Sequence, residues 1–475
     1  MTVAEDIVLE TDTDPLSTIA NHESTKITSF RMPMLDGVRA LACALVVIGH
    51  FSVNPDCYSS QTFIPEFFGF GNYGVVLFFC LSSFLLSYLF TKEYDSHGFN
   101  NIFQFFLRRT LRIWPLYLIF VVILNLCALL GLFSAEVGEF LSRLNPLLFS
   151  YLANWIYAQN HFEVPGGVPY IAVLWSLSVE EQIYLAFPFF ASLLLRSTKR
   201  KKFYACGIIV LSLISRLVYM FFVNSGASMY YSTFSYADVY LIAGIFGALQ
   251  ARDKFSSLRG SIMDKWWVFL FLFIWLLSVM NIFATHLVAP FDLITVISYP
   301  LLGLTSCLCI VWLLNTKQSI VAAFLSLPAV RTYGVLSYSV YVWHVAVLYF
   351  LHRYLGDMFV NSDAYVNVVY FVLFFSLSLA VACASYGLIE RPFLRIKERY
   401  SVSGSANFFN WQGYFAANFS VATVCFGALK VMPMAIDKLG YVEAGAVGLC
   451  ALLAATVIGQ AVRRTRLPPR AQRPM

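Results

Sequence analysis

Long apolar runs alternate with short polar connections along most of this chain. Ten of these runs are long enough, or nearly so, to cross the hydrocarbon core of a bilayer as helices. They lie at residues 35 to 54, 72 to 91, 112 to 133, 172 to 195, 203 to 223, 236 to 250, 266 to 286, 292 to 314, 334 to 353 and 365 to 389. The pattern predicts an all-α polytopic membrane protein whose core is a ten-helix unit over residues 33–399.

The segments outside this unit differ in composition. Residues 1–32 are acidic and contain no apolar run, which indicates a disordered cytosolic tail rather than a signal peptide. Residues 400–462 hold two further apolar runs and predict an additional transmembrane hairpin, and the basic residues 463–475 predict a second cytosolic tail. The run at 144 to 158 is shorter and contains a proline and an asparagine, so we expect an interfacial or re-entrant piece of a long outer loop.

Positive charges lie on one side of the predicted spans. Arginine and lysine cluster in the connections after the second, fourth, sixth, eighth and tenth spans, whereas the other connections hold almost none. The positive-inside rule then puts both ends of the ten-span unit in the cytosol. The net charge of +6 therefore reflects topology, and we expect no nucleic-acid partner.

Composition excludes a soluble domain. Hydrophobic residues make up 59% of the chain and charged residues only 12%, well outside the usual range of soluble proteins. The ten cysteines are scattered, mostly inside apolar runs, where a free thiol behaves as a small hydrophobe. No zinc-ligand spacing is present, so we expect no metal site and no permanently bound cofactor.

The first span carries the most informative pair of polar residues. Arg39 and His50 stand eleven residues apart in an apolar segment, which places them on nearly the same helix face and about 16 Å apart along the axis. Ionisable groups at that depth are costly, so they usually face a protein interior or a watery cavity and have a function. Asp36, three residues before Arg39, can pair with the guanidinium. The alternative is a snorkelling arginine and a structural histidine.

Two arginines mark the predicted cytosolic end of the third span. Arg109 and Arg112 are three residues apart and therefore share one helical face. Two guanidiniums at this place suit a polyanionic ligand, such as the phosphates of a nucleotide cofactor. A cluster that sets topology and contacts lipid headgroups explains the same charges equally well.

Carboxylates adjoin the fourth span in the segment LWSLSVEEQIYL. Glu180 and Glu181 lie at its edge, and Tyr184 follows Glu180 by four residues. A carboxylate there can assist the histidine or receive a proton. It can equally cap the helix, because Ser178 precedes Glu181 by three residues in capping-box spacing.

A polar stripe and a helix stop complete the candidates. Tyr338, Tyr341 and His344 recur at three-residue steps on an otherwise apolar helix, a stripe that suits an acceptor pocket and also ordinary packing. Glu390 ends the tenth span beside Pro392, which disfavours continuation of the helix, so we expect a structural role for this carboxylate.

Taken together and in this order, these segments resemble the acyltransferase-3 family of integral membrane O-acyltransferases. The resemblance covers roughly residues 33 to 395. It depends on LDGVRA with the histidine that follows it, FFCLSSFLLS, the two arginines before IWPLY, LWSLSVEEQIYL, SYSVYVWH and SYGLIERPF. Two positions depart from the family pattern: Ser83 stands where glycine is usual, and Tyr236 stands where an arginine is usual, which affects any role of Asp238.

The resemblance implies an enzyme that moves acyl groups, usually acetyl, from cytosolic acyl-CoA to hydroxyls of carbohydrates, commonly on surface or secreted glycans. The implied catalytic residues are Arg39, His50, Glu180 and Glu181, with Arg109 and Arg112 binding the donor. The substrate-binding candidates are Trp175, Tyr184, Tyr341 and His344, with Asp36 and Glu390 as structural support. We expect His50 to be the general base and Arg39 to position the donor or stabilise oxyanion charge.

The expected partners are acyl-CoA, a carbohydrate acceptor and membrane lipid, in the inner membrane of a bacterium. Dimerisation, partner docking and simple anchoring all fit the hairpin. A covalent acyl-enzyme is the mechanistic alternative. There are two alternative functions: a non-enzymatic exporter of an acylated or acidic small molecule, and a scaffold of glycan assembly.

Overall fold

The computed structural model describes residues 33–53, 71–158, 173–195, 201–223, 226–255, 293–315, 320–359 and 364–399, which are mostly helical and contain no strand. The α-helices are α1 (Pro33–Val53), α2 (Gly71–His97), α3 (Ile102–Leu129), α4 (Ala135–Phe149), α5 (Ala153–Tyr157), α6 (Leu174–Leu195), α7 (Lys201–Val218), α8 (Gly226–Tyr231), α9 (Ala237–Ala251), α10 (Leu293–Asn315), α11 (Ile320–Leu325), α12 (Pro328–Phe359), α13 (Ala364–Ser385) and α14 (Arg391–Arg399). Two π-helical turns, Tyr219–Val223 and Tyr386–Glu390, and one 3-10 turn, Thr233–Tyr236, adjoin these α-helices.

Eight described segments are long and apolar enough to cross a membrane, which confirms eight of the predicted spans. The predicted span at 172 to 195 is also helical, as α6, but Glu180, Glu181 and Gln182 lower its hydropathy and it is not among the eight. The run at 266 to 286 lies outside the described residues, as do residues 1–32, 400–462 and 463–475. The count of ten spans and the C-terminal hairpin therefore stay predictions.

Helix α2 is the centre of the described bundle. It packs against α1, α6, α9 and α10, and its buried residues lie on every face, as a uniformly apolar helix requires. Ser83 donates a hydrogen bond of 2.6 Å to the carbonyl oxygen of Tyr240 on α9. The hydroxyl that replaces the usual glycine is therefore satisfied within this helix contact.

Two glycines bring α1 close to its neighbours. A Cβ atom at Gly334 on α12 would lie 1.8 Å from the carbonyl oxygen of Asp36, and one at Gly74 on α2 would lie 2.4 Å from that of Ala42. Small residues allow such close backbone approach between membrane helices. The helix that carries Arg39 and His50 is thus clamped between α2 and α12.

Helices α7 and α13 present apolar side chains outward. Phe203, Val210, Ile214, Val369 and Val372 are all at least half exposed among the described residues. Such a surface would be unfavourable in water but is the normal exterior of a protein in lipid. These helices therefore form membrane-facing edges of the described bundle.

The segment predicted to be interfacial forms two short helices. Helices α4 and α5 have 15 and 5 residues, too few to cross a bilayer. A polar network holds this segment to the bundle: Asn154 donates to Thr233 at 3.0 Å, Thr233 donates to Gln182 at 2.6 Å, and Gln182 donates to Asn154 at 2.8 Å. The short helices are therefore fixed parts of the fold, held to α6 by buried hydrogen bonds.

Candidate active site

A cavity opens between α1, α2, α3, α6 and α12, with an empty volume of about 740 Å³ including its mouth. Apolar side chains form most of the wall, and every one of the five helices adds polar groups. These polar lining residues are Arg39, Ser82, Arg109, Arg112, Ser176, Glu180, Tyr184, Ser337, Tyr338 and Tyr341. We call this space the arginine cavity.

Three predicted arginines converge on the arginine cavity from two helices. Arg39 Nη1 lies 2.6 Å from Asp36 Oδ1, so its charge is partly compensated. Within the described part of the chain, neither Arg109 nor Arg112 forms an ion pair. The Arg109 guanidinium stacks 5.7 Å from the centre of the Tyr184 ring, and its buried Nε has no hydrogen-bond partner. The cavity therefore has an excess of positive charge that an anionic ligand would neutralise.

Glu180 faces the same cavity and is held by two hydroxyl groups. Ser82 on α2 and Tyr184 on α6 both donate hydrogen bonds to its Oε1 atom. The charge of Arg109 also acts on this carboxylate. Glu180 is thus a fixed acceptor in the wall of the arginine cavity.

Glu181 points away from the arginine cavity. Its Oε2 accepts a hydrogen bond of 3.3 Å from Trp114 Nε1, and its buried Oε1 has no partner among the described residues. The alternative that Glu181 completes a capping box is wrong, because α6 begins at Leu174 and Ser178 already donates to the carbonyl oxygen of that residue. A catalytic role for Glu181 stays a prediction, and the geometry places it outside the cavity that Glu180 lines.

His50 and His344 face each other between α1 and α12. His344 Nε2 lies 3.2 Å from His50 Nδ1, and the ring centres are 5.0 Å apart in an edge-on arrangement. His344 is fully buried, whereas His50 is partly exposed. Neither residue lines the arginine cavity. The contact joins two motifs that are 294 residues apart in the chain.

Tyr341 lies between the arginine cavity and the histidine pair. Its hydroxyl group makes hydrogen bonds with Ser176 and with the carbonyl oxygen of Val173, 3.2 Å away. Its ring centre is 5.9 Å from His344 on one side and 5.9 Å from Phe78, which lines the cavity, on the other. Tyr341 thus forms a wall that both parts of the site share.

The remaining predicted residues pack inside the protein. Trp175 is 4% exposed and its ring lies 4.6 Å from Tyr230 and 5.2 Å from Tyr231, so it belongs to an aromatic cluster and does not line the arginine cavity. Glu390 is buried and accepts a hydrogen bond from Ser339, which ties the second π-helical turn to α12.

Sequence reasoning overlooked a lysine near the cavity. Helix α14 packs against α3, and Lys397 lies within reach of the charges of Arg112, Arg109 and Arg39. Helical spacing could have indicated the position of this lysine. Glu390, Leu394 and Lys397 follow one another at steps of four and three residues and therefore share one helix face. These three side chains are at least partly buried, whereas Arg391 and Arg395 are exposed.

A buried ion pair was also missed, and it concerns the Asp238 position. Arg216 on α7 and Asp238 on α9 are each 1% exposed and approach to 2.6 Å. Arg216 also donates to the Ser235 carbonyl oxygen at 2.6 Å and to Ser212 at 3.1 Å. Asp238 therefore has an arginine partner although Tyr236 replaces the arginine usual in the family. This contact lies outside the arginine cavity.

These features define a helical integral membrane protein with a cationic internal cavity that ends near a pair of histidines. The chain belongs to the family described as "Acyltransferase domain", which it matches over residues 33–387. The match agrees with the acyltransferase-3 resemblance of its motifs.

Proteins of Staphylococcus aureus are among its relatives. The protein named "Putative O-acetyltransferase SAS0844" of strain MSSA476 is 28% identical over 383 residues, which cover 78% of this chain and 58% of that protein. The O-acetyltransferase OatA of strain NCTC 8325 / PS 47 is 24% identical over 427 residues, which cover 86% of this chain and 64% of OatA. The chain thus spans about three fifths of the length of these curated relatives. No solved structure matches the chain.

Proposed function

We propose that this protein is a membrane O-acyltransferase that moves an acyl group, usually acetyl, from cytosolic acyl-CoA to a hydroxyl group of a carbohydrate or glycan precursor. One observation carries the proposal: α1 and α12 contribute both to the arginine cavity and to the histidine pair beside it. A site for a polyanionic donor and a base for a hydroxyl acceptor are therefore built on the same two helices.

The donor would enter the arginine cavity with its phosphates against Arg109 and Arg112. Both guanidiniums lie on one face of α3 without an ion pair in the described ranges, and phosphate oxygens are their natural acceptors. Lys397 on α14 lies within reach of the same arginines, and a bound phosphate would favour its protonated, positively charged form. The acyl-pantetheine arm would then extend past Tyr341 toward His50.

The depth of His50 supports one of the two roles expected of Arg39. The two residues are about 16 Å apart along α1, so they cannot contact the same reacting carbonyl group. Arg39, held by Asp36 in the arginine cavity, therefore positions the donor rather than stabilising an oxyanion beside His50.

His50 would act as general base in a direct transfer. The acceptor oxygen attacks the thioester carbon while its proton moves to the imidazole, the carbon–sulfur bond breaks, and the departing thiolate takes up the proton. No covalent intermediate on the protein is needed in this sequence of steps.

The positive-inside pattern supports donor entry from the cytosol, with both ends of the ten-span unit on that side. The names of the staphylococcal O-acetyltransferases support transfer of an acetyl group to an oxygen atom. The bacterial inner membrane and a glycan acceptor beyond it are part of the proposal. The chain covers only part of those proteins, so the acceptor is proposed as a class, a carbohydrate hydroxyl group.

The test is acetyl transfer by the purified protein, with mass spectrometry of glycans from cells with and without it to identify the acceptor. We expect CoA release and acetylated glycan from the wild-type protein, and formation of both to be about 100- to 10,000-fold slower with a folded His50→Ala variant. Glycans that stay unmodified in all cells, together with vesicle export that does not require acyl-CoA, would favour the exporter instead.

A further inference from the structure

Backbone carbonyl groups determine where His344 carries its proton. Its Nδ1 lies 3.0 Å from the carbonyl oxygen of Val340 and 2.8 Å from that of Tyr341. Carbonyl oxygens only accept hydrogen bonds, so Nδ1 of neutral His344 must be the protonated nitrogen. Its Nε2 then carries a lone pair, and this is the atom that faces His50.

The same reasoning assigns the tautomer of His50. Its Nδ1 lies 3.0 Å from the carbonyl oxygen of Val46 and 3.2 Å from Nε2 of His344. Both neighbours are acceptors, so the proton of neutral His50 lies on Nδ1. The free lone pair, and with it the ability to accept a proton, is therefore on Nε2 of His50.

We propose that His344 is a positioning residue that acts through His50 rather than a residue that binds the acceptor. This inference rests on the proposed transferase function. His344 holds His50 in the tautomer whose Nε2 is available and orients its ring by a hydrogen bond. When Nε2 takes the proton of the acceptor hydroxyl group, the Nδ1–H of the resulting imidazolium donates to His344, and this charge-assisted bond stabilises it.

The burial of the pair explains why the orienting group is an imidazole. His344 is fully buried in a membrane helix, where a carboxylate would carry a large desolvation cost. Within the described chain, the hydrogen-bond partners of His344 are two backbone carbonyls and His50. A neutral acceptor supplies the orientation without a second buried charge in the resting enzyme.

The inference is tested by a double-mutant cycle on purified protein, with acetyl-CoA and a soluble carbohydrate acceptor. We expect His344→Leu to lower kcat about 100-fold or more without changing either KM, because general-base assistance contributes rate and not binding. His344→Gln should recover part of the loss, since an amide oxygen can replace the missing acceptor. In a His50→Ala background, His344→Leu should cause no further loss, because there is no base left to orient.

His352→Leu is the matched control, since it removes another imidazole from α12 eight residues further on and should leave kcat unchanged. A second measurement compares kcat for a series of acceptors with increasingly acidic hydroxyl groups. Structural damage alone would lower kcat equally for all of them. The defect of His344→Leu should shrink along that series, because acidic hydroxyls need less help from a base.

Two results would overturn the inference while the transferase function stands. The first is a double variant in which the losses of kcat from the two substitutions add. The second is a higher acceptor KM at unchanged kcat, which would mean that His344 binds the acceptor. A wild-type protein that transfers no acyl group from acyl-CoA would instead overturn the proposed function, and this inference with it.

Discussion

Adjacent arginines on α3 have different surroundings, and this difference decides what each can do. Arg108 Nη2 lies 3.4 Å from Glu93 Oε2 and the side chain does not line the arginine cavity. Arg109, the next residue, points into the cavity and has a buried Nε that no described residue contacts by a hydrogen bond. A guanidinium with unused donors in a concave site is suited to bind an anion.

Replacing both Arg109 and Arg112 with glutamine should raise the KM for acyl-CoA about 100-fold or more, because two charge-assisted contacts are lost. The KM for the acceptor should change little. A donor titration of the purified double variant measures both effects.

Arg108→Gln provides the comparison, since it removes a charge at the neighbouring position outside the cavity. We expect its donor KM to stay near that of the wild-type protein. If the double variant instead shows normal donor affinity with lower protein level or altered insertion, the arginines set topology at the lipid surface.

Ser82 is the hydroxyl group that a covalent mechanism would need, because it donates to Glu180 inside the arginine cavity. Direct transfer assigns it only the task of holding that carboxylate. Ser82→Ala should therefore lower activity only about 10-fold, because Tyr184 still donates to the same carboxylate oxygen. Mass spectrometry of enzyme quenched during turnover should find Ser82 unmodified. An acetylated Ser82 together with an inactive alanine variant would establish the covalent route.

The spacing of Arg39 and His50 predicted their shared helix face, because helical geometry over eleven residues is well determined. The partner of His50 was not predictable in the same way. His344 lies 294 residues further along the chain, and only the packing of α1 on α12 brings the rings together. Residue types and local spacing contain no information about such a contact.

At the scale of elements, α14 is a short helix that brings one lysine close to the arginines of the proposed donor site. Lys397→Gln should raise the KM for acyl-CoA about 10-fold. This is less than the effect expected from the loss of a fully buried contact, because the Lys397 side chain is partly exposed. Arg395→Gln removes a charge from the exposed face of the same helix and should have little effect. Equal changes in both variants would mean general attraction of the donor rather than a contact.

The contact between α1 and α12 depends on Gly334. Gly334→Ala would place a methyl group 1.8 Å from a backbone oxygen of Asp36, so the helices must separate. We expect a destabilisation of about 2 kcal/mol or more and a clear loss of activity, since Arg39 and the histidine contact move with α1. Thermal unfolding in detergent and the transfer assay measure the two effects.

Gly207→Ala is the natural control, because a methyl group at Gly207 on α7 meets nothing within 4 Å. Helix propensity alone predicts an unchanged or slightly higher stability there. A Gly334→Ala protein as stable and active as Gly207→Ala would refute the close contact.

Helices were predictable where lipid leaves the backbone no alternative, since each N–H and C=O must be satisfied within its own segment. The capping interpretation of Glu181 failed because Ser178 lies inside α6, which already begins at Leu174, and not at the start of that helix. The proposed role of Lys397 was not predictable for another reason. A positive charge at the end of a span predicts the side of the membrane on which it lies. It does not predict that α14 packs against α3.

At the scale of the whole molecule, the proposed mechanism requires opposite sides for donor and acceptor. Single cysteines test this in an active chain freed of its native cysteines. Ser96→Cys at the end of α2 should react with an impermeant thiol reagent only from the cytosolic face, and Ser150→Cys after α4 only from the other face, since both side chains are exposed. Labelling of both positions from one face would refute the proposed topology.

The buried pair between Arg216 and Asp238 has a consequence for biogenesis. Arg216 lies inside an otherwise apolar, outward-facing helix, and an arginine at the centre of a span opposes insertion by about 3 kcal/mol. Its carboxylate partner is synthesised 22 residues later, on α9. We therefore expect α7 to insert more efficiently together with α9, as a neutralised pair, than on its own.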